Sequence, residues 1–443
     1  MRADYDTVGQ HGEAETLPQG RILKSELNIL IVLDYSPPFY GGMGAHLNAL
    51  GDEARARGHR LHLAFPRERD WFEEASRHAS TVRTIPSIHD PIRRGFTAAL
   101  QEVIRSERID AVHLHFSYAL AIACALRPCH VPILYHWHNP PRALLRSTGL
   151  TPKEGSHGAM ASGLAIRLSR LTGGLFARIG DAAIQRHIAI SGEIENLLVK
   201  HRWTQPQKII RLPNALPELP DQPATLRALP SPFVLGSVAN FRAQKDHTTL
   251  LRAFARCIEA EPGLRLDLIG DGETRPHMEA LAKDLAIEPF VRFRGHVQDP
   301  GESYRRMDAF VLSTHYEGHG LAVLEAMGYG LPIIATDLPS IRGALADSSQ
   351  ALLVPPQDPS ALAASILRLY GDPSLRAELA RRSRSAALHA LTPDQWARQL
   401  VTIYESVVLE YPRDGTPRGA RPSRRSHARW RWKPRKMGLS IRL

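Results

Sequence analysis

The stretch HYEGHGLAVLEAMGYGLPIIATDLP, residues 315–339, sets two glutamates eight positions apart. Glu317 stands among glycines and Glu325 inside an apolar run. Just upstream, DAFVLS (308–313) is an unbroken series of mostly apolar and β-branched types, the pattern of a buried strand. GLAVLEAMGYG predicts a short helix with a glycine-rich end, and LPIIAT (331–336) a second strand. The unit is strand, glycine loop, helix, strand. Such units hold ligands at the carboxyl end of the strand, where backbone N–H groups at the helix start attract anions.

The same alternation fills most of the chain. NILIVL (28–33), RLHLAF (60–65), DAVHLHF (110–116), PILYHWH (132–138), RHIAIS (186–191) and KIIRLP (208–213) form a first series of strand-like runs. FVLGSVA (233–239), LRLDLIG (264–270), FVRFRG (290–295), AFVLS, PIIAT and ALLVP (351–355) form a second. Amphipathic segments such as GAHLNALGDEARARG (44–58) separate most of them, which argues for α/β architecture with parallel sheets and helices on both faces. Between the series, NALPELPDQPATLRALPSP (214–232) carries five prolines and reads as a linker. The simplest architecture is two Rossmann-like domains, 27–213 and 233–391, facing each other across a cleft. TPDQWARQLVTIYESVVLEY (392–411) predicts a closing helix, with a Thr cap and Pro at its first position.

Composition narrows the function classes. At 443 residues, 43% hydrophobic and 23% charged, the chain has room for two or three ordinary globular domains. Cys124, Cys129 and Cys257 have no metal-binding spacing, and nothing in them implies an oxidising compartment. The amino-terminal 26 residues read as a disordered extension without the apolar core of a signal peptide, and no run is long enough to span a membrane. The cytoplasm is the expected compartment. The net charge of +11 is local: from Arg413 on, eleven basic residues and the single acid Asp414 account for +10 of it. The body is near neutral, and 412–443 read as a disordered basic tail.

Several motifs in fixed order carry a family likeness: YGGMGAHLNALGDEARARGH, YHWHNP, IAISGEIENLLVKH, IIRLPNA, ANFRAQKDHTTLLRAFA, LDLIGDGETRPHMEALA, VRFRGHVQD and the glutamate pair with EAMGYGLPIIATD. Over residues 28–410 the sequence resembles the retaining glycosyltransferases of family 4. That resemblance implies the two-domain GT-B fold, with the last helix packing back towards the first domain, and a nucleotide-diphosphate sugar as donor.

The resemblance also assigns roles. Glu325 falls on the glutamate that accepts from the ribose hydroxyls, and a carboxylate is suited to two such bonds. Glu317 lies beside the donor sugar and diphosphate, Gly318, Gly320 and Leu321 belong to the donor-binding set, and the glycines let the backbone approach the diphosphate closely. Lys245 falls on a lysine that contacts the diphosphate and opens the next helix. The arginine usual upstream is replaced by Asn240, so Arg242 is the candidate substitute. Gly42, in a glycine loop after the first strand, borders the active centre, unless it simply makes a tight turn. His138 ends a strand near the donor sugar, with His136 on the same side of the pleat as competitor. His113 and His115 have the i, i+2 spacing of metal ligands but no nearby Cys or carboxylate, and no metal is expected. His319 departs from the aromatic residue usual between these glycines.

No carboxylate in the motifs is an obvious covalent nucleophile. The resemblance implies same-face attack, with Lys245, Arg242 and the helix start stabilising the leaving diphosphate in place of a metal. No cofactor is expected. The acceptor can be a lipid, a polysaccharide or a small molecule. Two rival readings remain at this level. One is a nucleotide-sugar binder that has lost catalysis, motivated by Asn240. The other is a nucleic-acid protein using the tail, where Trp430 and Trp432 interleave with arginines; the body lacks any matching module. The tail and the basic, partly amphipathic segment 140–181 also suit contact with an anionic membrane.

Overall fold

The structure, a computed structural model, describes residues 26–35, 41–88, 95–126, 130–141, 175–217, 219–224, 232–297, 299–345 and 347–411. The amino-terminal extension, most of the 140–181 segment, part of the proline-rich stretch, Cys129 and the basic tail lie outside these residues. Two parallel sheets organise the rest.

The first sheet is built from β1 (Asn28–Leu33), β2 (Arg60–Phe65), β3 (Thr81–Thr84), β4 (Ala111–His115), β5 (Ile133–Trp137), β6 (Arg186–Ala189) and β7 (Ile209–Arg211). Their order across the sheet is β3-β2-β1-β4-β5-β6-β7, so the winding reverses between β1 and β4. Residues of β1 are buried on both sides, as expected of a central parallel strand. Ile29, Ile31 and Leu33 point to one face and Leu30 and Val32 to the other. The second face is covered by α3 (Phe96–Ser106), α4 (Tyr118–Leu126) and α5 (Gly192–Lys200), which follow α1 (Gly41–Ala56) and α2 (Phe72–Ser76) in the chain.

The second sheet contains β8 (Phe233–Val238), β9 (Leu264–Ile269), β10 (Val291–Gly295), β11 (Ala309–Leu312), β12 (Ile333–Thr336) and β13 (Ala351–Val354), in the order β10-β9-β8-β11-β12-β13. Its reversal lies between β8 and β11. Helices α6 (His247–Ala260), α7 (Arg275–Asp284), α8 (Gly301–Arg306), α9 (Leu321–Gly328), α10 (Pro339–Ala344), α11 (Pro359–Gly371) and α12 (Pro373–Ala387) surround it.

The last helix, α13 (Pro393–Glu410), belongs by sequence to the second half and by packing to the first. Thr392 and Gln395 form a reciprocal capping box ahead of it, and Pro393 takes its first position. Trp396, Leu400, Val401, Tyr404 and Val407 join one core with Leu47, Leu50 and Ala54 of α1 and with β1. Glu405 fixes the register by accepting from Arg57 Nη1 and pairing with His59 Nε2, each at 3.1 Å. Among the described residues, no helix is long and apolar enough to cross a membrane. Cys124 and Cys257 are buried free thiols.

Two local expectations need correction. Gly41 and Gly42 do not form a loop; they are the first residues of α1. Leu47, Leu50 and Ala54 recur at helical spacing against the sheet, and the helix they specify extends back through the glycines. Lys245 does not open a helix either. Asp246, left-handed at φ +46°, caps α6 by accepting from Thr249 N, so the helix starts at His247 and Lys245 stays in the preceding turn.

Leu400 is fully buried between α13 and the first sheet. Leu400→Ala is expected to lower unfolding free energy by about 2–5 kcal/mol. Denaturant titration checks this; an unchanged midpoint would mean that α13 does not hold this face.

Candidate functional site

The ligand-binding edge of a wound sheet lies where its strand order reverses, because neighbouring loops there diverge to opposite faces and open a crevice. In this chain the loops that leave β8 and β11 at such a point are tied together. His315 N donates to Gln244 O at 2.8 Å, and Gln244 Nε2 donates to Tyr316 O at 2.7 Å. Thr314 Oγ1 also donates to Gln244 O, and Ser313 Oγ to Asp246 O at 2.9 Å. On this lashing Lys245 Nζ forms an ion pair with Glu317 Oε1. Glu317 is buried and Lys245 half-buried. The chain's candidate cation and first candidate carboxylate therefore meet.

Gly318 then passes against the first sheet. A methyl group added there would lie 1.9 Å from the carbonyl oxygen of His138, at the end of β5. This contact brings His138 and the glutamate turn into one place. Gly320 follows with φ +71° as the residue before α9, so the start of α9, at Leu321, directly follows this turn. His319, between the glycines, is buried with Nδ1 unpartnered, and burial lowers its pKa to about 4. It packs as a neutral ring.

Glu325 lies one turn into α9, half-buried, and accepts from the Tyr304 hydroxyl at 2.7 Å. Burial pushes its pKa up to about 7, against the opposing pull of that hydrogen bond. A solvated helix face would do neither. Arg242 is exposed, and its guanidinium lies 5.9 Å from the ring centroid of Tyr35, the residue two beyond β1. It reaches from the switch point of one sheet to that of the other. Asn240 is exposed beside it.

Behind His138 lies a buried group of imidazoles. His115 Nδ1 is 2.8 Å from His138 Nε2, and His115 Nε2 is 3.3 Å from His113 Nδ1. His113 Nδ1 is also 2.7 Å from the Tyr404 hydroxyl of α13. His136 stacks on His138 with ring centroids 4.5 Å apart and 7° between planes. Burial lowers the pKa of all four, with their mutual repulsion adding for the inner three and His46 adding for His138, which falls to about 3. Nitrogens of His113, His115 and His136 lie within 4.8 Å of one another, the spacing of a possible metal cluster. Both nitrogens of His115 are already hydrogen-bonded, however, which leaves only His113 Nε2 and those of His136 unengaged. Two free ligands fall short of a closed metal site.

The sequence pattern marked Lys245, Glu317, Glu325 and His138 but not Tyr304, Tyr35 or Tyr404. These are partners from distant segments with no motif of their own. Gly42 lies in the first turn of α1, after the β1 loop.

Comparison with known proteins bears on family and fold. The family model "Glycosyltransferase Family 4" matches residues 40–217, and "Glycosyl transferases group 1" matches 232–372. The chain is 32% identical to the lipopolysaccharide core biosynthesis glycosyltransferase LpsE of Rhizobium meliloti over 38% of its own length, and spans only 47% of that protein. It is 25% identical to the glycogen synthase of Mycobacterium tuberculosis over 83% of its own length and 90% of the other. Among solved structures, Anabaena HepE in complex with UDP and glucose superposes with a TM-score of 0.67 at 16% identity, covering 86% of this chain and all of that one. That last likeness is one of fold.

The imidazole cluster makes stability depend on pH. The four rings stay neutral in the fold well below 6.5, where the unfolded chain takes up protons, so unfolding is favoured as pH falls. Each contributes a slope approaching about 1.4 kcal/mol per pH unit. Glu325, raised to about 7, has the opposite sign, while buried His247 and His319, both lowered to about 4, add to the cluster's effect. The melting temperature is expected to drop steeply from pH 6.5 to pH 5, and His136→Phe to flatten that drop. Scanning calorimetry across this range checks both; a flat profile would mean that the cluster is solvated.

Proposed function

We propose that this chain, which belongs to the family 4 glycosyltransferases, transfers a sugar with retention of anomeric configuration from a nucleoside-diphosphate donor to a lipid-linked, polysaccharide or small-molecule acceptor. The observation that carries the reading is the contact of Gly318 with the His138 carbonyl, which gathers a carboxylate, a cation and an imidazole from two sheets. Because HepE was solved with UDP and with UDP-glucose, uridine donors head the panel to be tried.

The chemistry follows from where charge develops. As the bond from the anomeric carbon to the β-phosphate oxygen breaks, negative charge grows on the diphosphate. Lys245, exposed Arg242 and the N–H groups opening α9 oppose it without a metal ion. Glu317 holds Lys245 in place until the donor arrives. The acceptor hydroxyl attacks from the face the diphosphate leaves. Its proton passes to the departing phosphate oxygen as the new glycosidic bond forms, and no protein nucleophile takes part. Glu325 receives two ribose hydroxyls while Tyr304 steadies its other oxygen. His138 contacts a hydroxyl of the donor sugar. Nucleoside-diphosphate release measured across UDP-, GDP- and ADP-sugars tests the reading; no release above hydrolysis with any donor overturns it in favour of a binder.

A carboxylate with a pKa near 7 must ionise to accept two hydroxyls, so donor binding is expected to release protons near neutral pH. Affinity for the cognate nucleoside diphosphate should fall as pH drops from 8 to 6, and Glu325→Ala should weaken it by about 2–4 kcal/mol and abolish the pH dependence. Calorimetry in buffers of different ionisation enthalpy reads both effects. Equal affinity for the variant would remove Glu325 from the ribose site.

Lys245→Ala should reduce turnover by roughly 100-fold or more, as expected when a group that stabilises the leaving charge is lost. Arg242→Ala should do the same only where Arg242 does the work of an arginine at position 240. Steady-state rates of the two variants separate these roles.

A further inference from the structure

The four groups Tyr404, His113, His115 and His138 form a hydrogen-bonded chain from the middle of α13 to the edge of the site. Tyr404 Oη and His113 Nδ1 are 2.7 Å apart, His113 Nδ1 and His115 Nε2 3.3 Å, and His115 Nδ1 and His138 Nε2 2.8 Å. A neutral imidazole carries one proton, so each ring offers one donor and one acceptor, and the choice in one ring dictates the choice in the next. Burial keeps the rings neutral. The chain therefore has only two self-consistent states.

The buried hydroxyl decides between them. Tyr404 is fully buried, and His113 Nδ1 is its hydrogen-bond partner among the described residues. With Nδ1 as a bare lone pair, the hydroxyl proton is used; His115 Nε2–H donates to the same lone pair, and His138 Nε2–H donates to His115 Nδ1. The one orphan left is the Nε2–H of His113. With Nδ1 protonated instead, the Tyr404 proton and the His113 Nε2 lone pair are both left without partners in a dry interior. Each state leaves one buried donor unsatisfied, but the second leaves the Nε2 acceptor of His113 unmet as well, so the first state is favoured.

We propose that Tyr404 is a positioning residue which, through His113 and His115, fixes His138 as the Nε2–H tautomer, with Nδ1 presented to the donor as a hydrogen-bond acceptor. This rests on the reading of His138 as the group that meets a donor-sugar hydroxyl, and it adds the polarity of that contact. The hydroxyl donates and the imidazole accepts. Because Tyr404 is carried on the helix that crosses back to the first sheet, docking of α13 becomes a condition for the correct proton arrangement in the site.

The test is the tautomer itself. In ligand-free protein labelled with ¹⁵N-histidine, two-bond nitrogen–proton correlations distinguish Nε2–H from Nδ1–H, and His138→Gln identifies the His138 signal. His138 is expected as Nε2–H in the native chain and as a mixture in Tyr404→Phe, which keeps the ring packing and removes the proton. His115→Phe, which cuts the chain at its middle, should give the same mixture. Once a donor is identified, Tyr404→Phe should lower kcat in proportion to the Nε2–H fraction lost, at most roughly tenfold, with the donor KM changed less than about twofold. An Nδ1–H signal for native His138, or one unchanged in both folded variants, overturns the proposal. Failure to find a donor would leave the tautomer measurement standing and count against the transfer reading instead.

Discussion

The ion pair of Lys245 with Glu317 holds the site in shape before any ligand arrives. The two residues leave neighbouring strands at the reversal point of the second sheet, where loops would otherwise spread apart. Their side chains close what the Gln244, Thr314 and His315 hydrogen bonds begin. Pairing also keeps an ammonium and a carboxylate from standing alone in a half-buried crevice, which would be far more costly than either pairing or exposure. The consequence for ligand chemistry is direct. Lys245 is already paired with Glu317, whereas Arg242 stands open to solvent with its guanidinium against the Tyr35 ring. On the function proposed above, an incoming dianion would meet the more open Arg242 and share Lys245 with Glu317.

The approach of the two sheets is limited by the absence of one side chain. With no Cβ on Gly318, the turn carrying Glu317 can touch the backbone of His138; any other residue would hold the carboxylate turn away from the strand end. Below that contact the imidazoles of β4 and β5 are stacked too tightly to admit solvent, and they stay uncharged. The site thus has a charged rim on the second sheet and a neutral polar floor on the first. Such a division suits a reaction in which a phosphate departs on one side and a sugar ring must be oriented on the other.

Much of this was legible in the sequence, and the exceptions have physical causes. All strands but one coincide with apolar or β-branched runs, because parallel strands are covered on both faces. The exception is Thr81–Thr84, an edge strand with two exposed residues and two half-buried ones, whose short TVRT is largely β-branched but holds a single apolar residue and so does not stand out as a buried run. Lys245, Glu317, Glu325 and His138 stood out because each sits in a local motif. Tyr304 and Tyr404 did not, since their roles exist only through pairings 21 and 291 residues apart in the chain. The two misplaced starts, at Gly42 and Lys245, are helix ends, where a capping residue such as Asp246 shifts the boundary by two residues.

The position of α13 bears on how the chain is made. The first sheet is synthesised early, yet one of its two faces is covered by α1 together with residues 393–410. A chain emerging from the ribosome must keep Leu47, Leu50 and the outer side of β1 in check through the whole synthesis of the second domain, which can meanwhile complete its own two cores. The amino-terminal half is thus the last to finish folding although it is the first to appear. A nascent chain stalled before residue 393 would present an apolar face to chaperones and to other nascent chains, and release of α13 would act as the closing step of the first domain.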